Sequence, residues 1–194
     1  LYPAFKRVVP ALAALLAGDG HSIDAFLLPG HVSTIIGSAA YGLLDGVVPG
    51  VIAGFEPVDL LHAILLALRQ VAAGESRVEN AYTRAVKPEG NPKALATIDR
   101  LLEPGDEPWR AFGVIPGGGL VLRPEHRRLD AAAAFGLPPV ADRDPPGCRC
   151  ADVLRGRTAP RDCGLFGAAC TPDRPVGPCM VSSEGACAAH LRYG

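Results

Sequence analysis

The 194-residue sequence has no run long and apolar enough to cross a bilayer, no surplus of charge of either sign, and no cysteine before residue 148. Its longest strongly apolar stretch, Leu60 to Leu68, is interrupted by His62 and followed by Arg69, far short of the roughly 20 residues a spanning helix needs. Nineteen lysines and arginines stand against 20 acids, so no net charge draws the chain to nucleic acid or to an anionic membrane. Lys6 and Arg7 lie near the start, but the apolar run behind them ends at Gly18 without a small-residue cleavage site. No export signal is read, and the expected compartment is the cytoplasm. Residue 1 is leucine and the first segment already reads as the inside of a fold, so the expectation is a piece of a longer polypeptide.

What is there is the composition of a globular protein, 48% hydrophobic and 20% charged, enough for one domain and a smaller module. Leu12, Leu15 and Leu16 recur at helical spacing between Pro10 and Ala17, with Gly18 as the stop. Ile23 to Leu28 reads as a buried strand, Pro29-Gly30 as a turn, and residues 31–44 as a helix. The order repeats with a strand from Gly50 to Phe55, a turn at Glu56-Pro57 and a helix from Val58 to Ala73. A third helix over Pro92 to Leu102 precedes a strand at Ala111 to Ile115. Alternation of this kind implies parallel pairing, hence a parallel-sheet α/β domain over residues 1–125. Residues 126–194 change character: prolines cluster and all six cysteines follow, so a small cysteine-rich module held by cross-links or a metal centre is expected.

The cysteines stand at 148, 150, 163, 170, 179 and 187, with separations of 2, 13, 7, 9 and 8. A disulfide framework would allow 15 pairings, but such modules belong to oxidising compartments. Structural zinc prefers ligands about two residues apart and often recruits histidine; here no Cys-x-x-Cys occurs and His190 lies past the last cysteine. Iron-sulfur clusters accept irregular spacings of four thiolates, and six would leave two for a redox-active pair. Spacing leaves all three open.

The residues between the cysteines say more. Cys163-Gly-Leu-Phe-Gly-Ala-Ala-Cys170-Thr-Pro, followed by Gly177-Pro-Cys179-Met-Val-Ser-Ser-Glu-Gly-Ala-Cys187, closely resembles the C-terminal signature of the HypD family, which assembles the iron centre of nickel-iron hydrogenases. Leu28-Pro-Gly-His-Val-Ser-Thr-Ile-Ile-Gly37, Gly54-Phe-Glu-Pro-Val-Asp59 and Val86-Lys-Pro-Glu-Gly-Asn-Pro-Lys93 resemble further blocks of that family in the same order.

The resemblance implies a 4Fe-4S cluster on Cys148, Cys163, Cys170 and Cys187, with Cys150 and Cys179 as a nearby thiol/disulfide pair. It implies an assembly protein with a redox role, a scaffold that works with a small HypC-type chaperone and a HypE-type thiocyanate carrier while cyanide and carbon monoxide are attached to iron. The iron is bound transiently, mainly through an N-terminal cysteine-histidine motif that this chain lacks. A zinc-stabilised interaction module and a free-standing iron-sulfur oxidoreductase are the alternatives.

Outside the cysteines, His31 follows Pro29-Gly30 at the carboxyl end of a strand, the edge where open α/β sheets place ligands; otherwise it is a solvent-facing helix-start residue. Glu184, three residues before Cys187, is a candidate to exchange protons beside the thiols, or an acid in the first turn of a helix capped by Ser182 or Ser183. Glu56 and Asp59 read as acids of a helix start or as cleft residues. His62 reads as a half-buried packing residue, and Pro116-Gly-Gly-Gly119 as a turn with no lysine behind it to make a phosphate loop.

Overall fold

In the computed structural model, which describes residues 1–17, 20–138 and 145–194, the chain divides into two compact units that interleave along the sequence. One comprises residues 23–103 and 122–126; the other gathers 1–22, 104–121 and 127–194. The cysteines therefore share a unit with the N-terminal helix and a β-hairpin, instead of forming a module of residues 126–194 alone.

The first unit is the α/β part. Strands β2 (Phe26–Pro29), β3 (Gly50–Ala53) and β4 (Val78–Asn80) form a parallel sheet in the order β2-β3-β4, with Leu28 beside Ile52 and Leu27 beside Val51. β3 is buried at every residue, as the central strand of a covered parallel sheet must be. Between β2 and β3, helix α2 (Gly30–Ile36) gives way to a 3-10 segment, Ser38–Leu44. The continuous helix expected over 31–44 breaks at Gly37, whose φ of 84° excludes it from helical geometry.

Gly37 meets Gly90 where two backbones cross: a Cβ on Gly37 would run into Pro88 O and Gly90 N, and one on Gly90 into Ile35 O and Gly37 N. Ser38 and Ala39 N–H donate to Lys87 and Pro88 carbonyls, and Asn91 N–H to Ile35 O at 3.0 Å. Helix α3 (Pro57–Ala73) has proline in its first turn and ends on Gly74 at φ 65°, the left-handed C-cap that glycine adopts without strain. It packs Ala63 and Ala67 against Val51 and Ala53. Helix α4 (Pro92–Leu101) is capped by the Asn91 side chain, which accepts from Ala94 N–H at 3.1 Å. Tyr41 is fully buried, and its hydroxyl lies 3.0 Å from Ser33 Oγ, which donates to Pro29 O at 2.8 Å. Burial pushes the Tyr41 phenol up, partly offset by that hydroxyl contact.

In the second unit β1 (Phe5–Lys6) leads to α1 (Val8–Ala17); Gly18, read as its stop, lies outside the described residues. Strand β6 (Gly113–Leu122) pairs antiparallel with β1 on one side and is bonded to β5 (Leu102–Trp109) on the other. The strand expected at 111–115 thus belongs to this separate sheet and not to the parallel one. Pro116-Gly-Gly-Gly119 is strand, not turn: a Cβ on Gly118 would meet Ile115 and Trp109, and one on Gly119 would meet Glu107, so glycine lets neighbouring groups approach the backbone. A 3-10 turn (Pro124–Leu129) and a one-turn helix α5 (Ala131–Ala134) follow. The cysteine region is built from short pieces: α6 (Cys150–Leu154), a 3-10 turn at Pro160–Asp162, α7 (Pro178–Val181) and α8 (Ala186–Tyr193). Among the described residues no helix is long and apolar enough to cross a membrane.

Candidate functional site

Short helices and tight turns bring distant cysteines to one place because the segment has little else to bury. Cys150, Cys163, Cys170, Cys179 and Cys187 are each no more than 9% exposed and Cys148 is half-buried. All six line one small cavity of about 10 Å³, with Val153, Leu165, Phe166, Met180 and Gly177 completing its walls. Among the described residues Arg149 is the one charged residue lining it; it is exposed and sits 3.4 Å from Asp152. Ala111, in the β5–β6 turn at φ 74°, packs against the same cluster, a costly backbone geometry for a residue with a Cβ, of order 1 kcal/mol.

Cys150 and Cys179 are joined by a disulfide with Cα atoms 6.2 Å apart, tying the start of α6 to α7. Around the other four the surroundings suit sulfur. Val176 N–H donates to Cys170 Sγ at 3.3 Å, and Cys163 Sγ lies 3.9 Å from Gly147 O. A Cβ at Gly177 would overlap Cys148 Sγ, so the glycine leaves that sulfur its space. Burial pushes the Cys187 thiol up, and the neighbouring Cys163, Cys170 and Cys148 sulfurs push it the same way. Desolvated thiols that feel one another are unstable as a set of free thiolates, whereas a positively charged centre between them would favour the ionised form.

Glu184 does not line this cavity. It is exposed in the link between α7 and α8, its N–H bonded to Ser182 Oγ at 3.1 Å, and α8 begins only at Ala186 with Gly185 as its cap. The helix start expected at Ser182 or Ser183 is displaced because Ser182 ends α7. His31 belongs to the other unit, where it is exposed at the carboxyl end of β2 with its ring 4.1 Å from that of Phe55. Near it, Asp59 accepts both guanidinium arms of Arg84, whose charge also lies 4.5 Å from the centre of the Tyr82 ring. The Arg84 bonds hold the Asp59 carboxyl below its ordinary value, and Asp59 pushes the guanidinium up. Glu56 and His62 are exposed, so His62 is not the half-buried packing residue its leucine-rich surroundings suggested.

Sequence reasoning did not find Arg149, Val176, Gly177 or Ala111. Of these, Arg149 is flanked by two cysteines and Gly177 stands in the cysteine signature, whereas Val176 and Ala111 act through a backbone N–H and a turn.

Fold and site together define a class: an α/β protein whose second unit encloses a buried centre made of sulfur, with one disulfide and four further cysteines. A family model described as HypD, hydrogenase formation hypA family, matches residues 1–194. The hydrogenase expression/formation protein HupD of Azotobacter chroococcum is 46% identical over 197 residues, covering 100% of this chain and 52% of that protein. The hydrogenase maturation factors HypD of Escherichia coli (45% over 189 residues, 96% of this chain, 51% of theirs) and of Rhizobium leguminosarum (48% over 175 residues, 89% and 46%) agree. The chain belongs to the HypD family, and it spans about half the length of the curated relatives it matches.

Proposed function

We propose that this chain serves in hydrogenase maturation as the redox half of an assembly protein for an iron centre, its buried cysteines holding a 4Fe-4S cluster next to a working dithiol/disulfide. The observation that carries the reading is the convergence of all six cysteines on one cavity with only Cys150 and Cys179 bonded to each other. Cys148, Cys163, Cys170 and Cys187 would hold the cluster, which supplies single electrons when bound.

The cysteine spacing supports this over zinc, because the sequence has no Cys-x-x-Cys pair, the arrangement that structural zinc prefers. The Val176 N–H on Cys170 Sγ is a bond of the type that tunes cluster potentials.

The reduced Cys150/Cys179 pair stores two electrons. Its thiolate would attack the sulfur of a thiocyanate carried by a HypE-type partner, releasing cyanide and leaving a mixed disulfide. The second thiolate would then close the Cys150–Cys179 bond and free the partner thiolate. Iron, the cargo, receives the cyanide with help from a HypC-type chaperone. Exposed His31, at the ligand edge of the parallel sheet, and exposed Glu184, as a proton-exchanging group, are the further residues assigned to this work.

The test is metal and sulfide analysis with a visible spectrum on protein isolated without oxygen. The expectation is about four irons and four sulfides per chain and a broad band near 400 nm. Stoichiometric zinc with no visible band would overturn the redox reading.

A further inference from the structure

Helices α7 and α8 meet along a second cavity of the cysteine-bearing unit, about 310 Å³ in volume and open to solvent, with no cysteine among its lining residues. Its inner residues are apolar: Met180 and Ala188 are buried, and Val181 and Leu191, 60% and 40% exposed, lead out from them. The polar groups are few. Arg192 and the hydroxyls of Ser182 and Ser183 line the opening and are exposed, while the acids next to it in sequence, Asp173 and Glu184, are not among its walls. A cavity of this size, mostly apolar with a small number of placed polar groups, has the form of a small-molecule site.

Those polar groups fix the sign of the ligand. Among the described residues Arg192 has no carboxylate within ion-pair distance; its guanidinium stands 5.4 Å from the centre of the Tyr193 ring. Ser182 Oγ accepts the Glu184 N–H at 3.1 Å, which leaves its own proton to donate, and the Ser183 hydroxyl is a second donor. A guanidinium with two hydroxyls suits the paired oxygens of a carboxylate. One positive charge balances one negative charge, so a phosphate dianion would be left half-compensated.

We infer that the cavity between α7 and α8 binds a small monocarboxylate with an apolar arm, its oxygens held by Arg192, Ser182 and Ser183 and its arm laid over Met180, Val181 and Leu191. The inference rests on no reading of the cysteine chemistry.

The test uses 4-phenylbutanoate as the probe, followed by saturation-transfer NMR on the 194-residue chain isolated without oxygen. The ring protons of the acid take up saturation. Its affinity exceeds that of acetate at least about tenfold, the return from burying part of the arm, and exceeds that of the neutral 4-phenylbutanamide by about the same factor, the return from the charged contact. Arg192→Gln and, separately, Val181→Asp weaken binding about tenfold, and Arg192→Lys recovers part of the loss. Arg192 and Val181 are exposed, so these variants melt with the parent and a loss of binding is not a loss of fold. Acetate or the amide binding as tightly as the acid would assign the signal to general attraction at the surface and overturn the inference. No transfer to the acid, or an Arg192→Gln protein that binds it like the parent, would overturn it as well.

Discussion

Replacing Gly177 by alanine probes the wall of the cysteine cavity with one methyl group. Gly177 has φ −94° and ψ 154°, extended backbone that any L-residue adopts, so Gly177→Ala introduces no backbone strain. The added Cβ meets only Cys148, overlapping its Sγ and lying 3.9 Å from its Cβ. Overfilling a packed site costs roughly 1–3 kcal/mol, and removing glycine from the unfolded chain returns about 0.4–1 kcal/mol. The net loss is about 0.5–2 kcal/mol. For a chain of this length each kcal/mol moves Tm by roughly 2–4 °C, so melting followed by circular dichroism shifts down by about 1–8 °C. Gly164, where a Cβ would meet open space, is the control, and Gly164→Ala melts with or above the parent. If the four cysteines hold a cluster, Gly177→Ala also lowers bound iron, because Cys148 Sγ must move. A Gly177→Ala protein that melts with the parent would refute the argument.

Reducing the Cys150–Cys179 bond, or replacing Cys150 by alanine, opens a link between residues 29 apart and costs roughly 3–4 kcal/mol; thermal melts with and without reductant give the value, and an unchanged midpoint would contradict it. Asp59 titrates lower in the folded chain than in the unfolded one because of Arg84, so the pair's stabilisation is complete above the unfolded carboxyl value and vanishes as pH falls through the folded one. Arg84→Gln therefore lowers the urea midpoint at pH 6, and its difference from the parent shrinks to nothing in strong acid; a constant difference at every pH would exclude the ion pair as the cause. Tyr41→Phe removes the buried contact to Ser33, which keeps its bond to Pro29 O, and costs about 0.5–1.5 kcal/mol in urea unfolding. A loss beyond about 3 kcal/mol would mean that the hydroxyl does more than this contact.

Local signals carried two of the three strands of the parallel unit, β2 and β3, while the three-residue β4 (Val78–Asn80) went unread. The leucines between Val58 and Ala73 mark α3, which starts one residue earlier at Pro57, and Gly50–Ala53 reads as a buried strand because it is one. Where the reading departed, long-range packing decided. Leu102–Trp109 contains Pro104, Gly105 and Pro108, which argue against a strand, yet β6 holds it in a sheet. The glycines at 117–119 look like a turn until Glu107, Ile115 and Trp109 are seen pressing on them. The set of six cysteines was visible as a cluster in sequence. Their shared cavity was not, because it depends on Ala111, Val176 and Gly177, whose contributions are geometric.

The interleaving of the two units has a consequence for the order of folding. Leu1 bonds to the backbone at Leu129 and Ala131, Lys6 pairs with Glu107, and Ser22 N–H donates to Arg155 O. The segment 1–22 must therefore wait for residues synthesised more than a hundred positions later, while residues 23–103 can assemble most of their sheet as they emerge. Closure of the cysteine unit comes last, after Cys187 has left the ribosome. Until then the thiols stay open to solvent, which gives whatever loads or oxidises them an interval that the finished fold, with five of the six sulfurs buried, no longer offers.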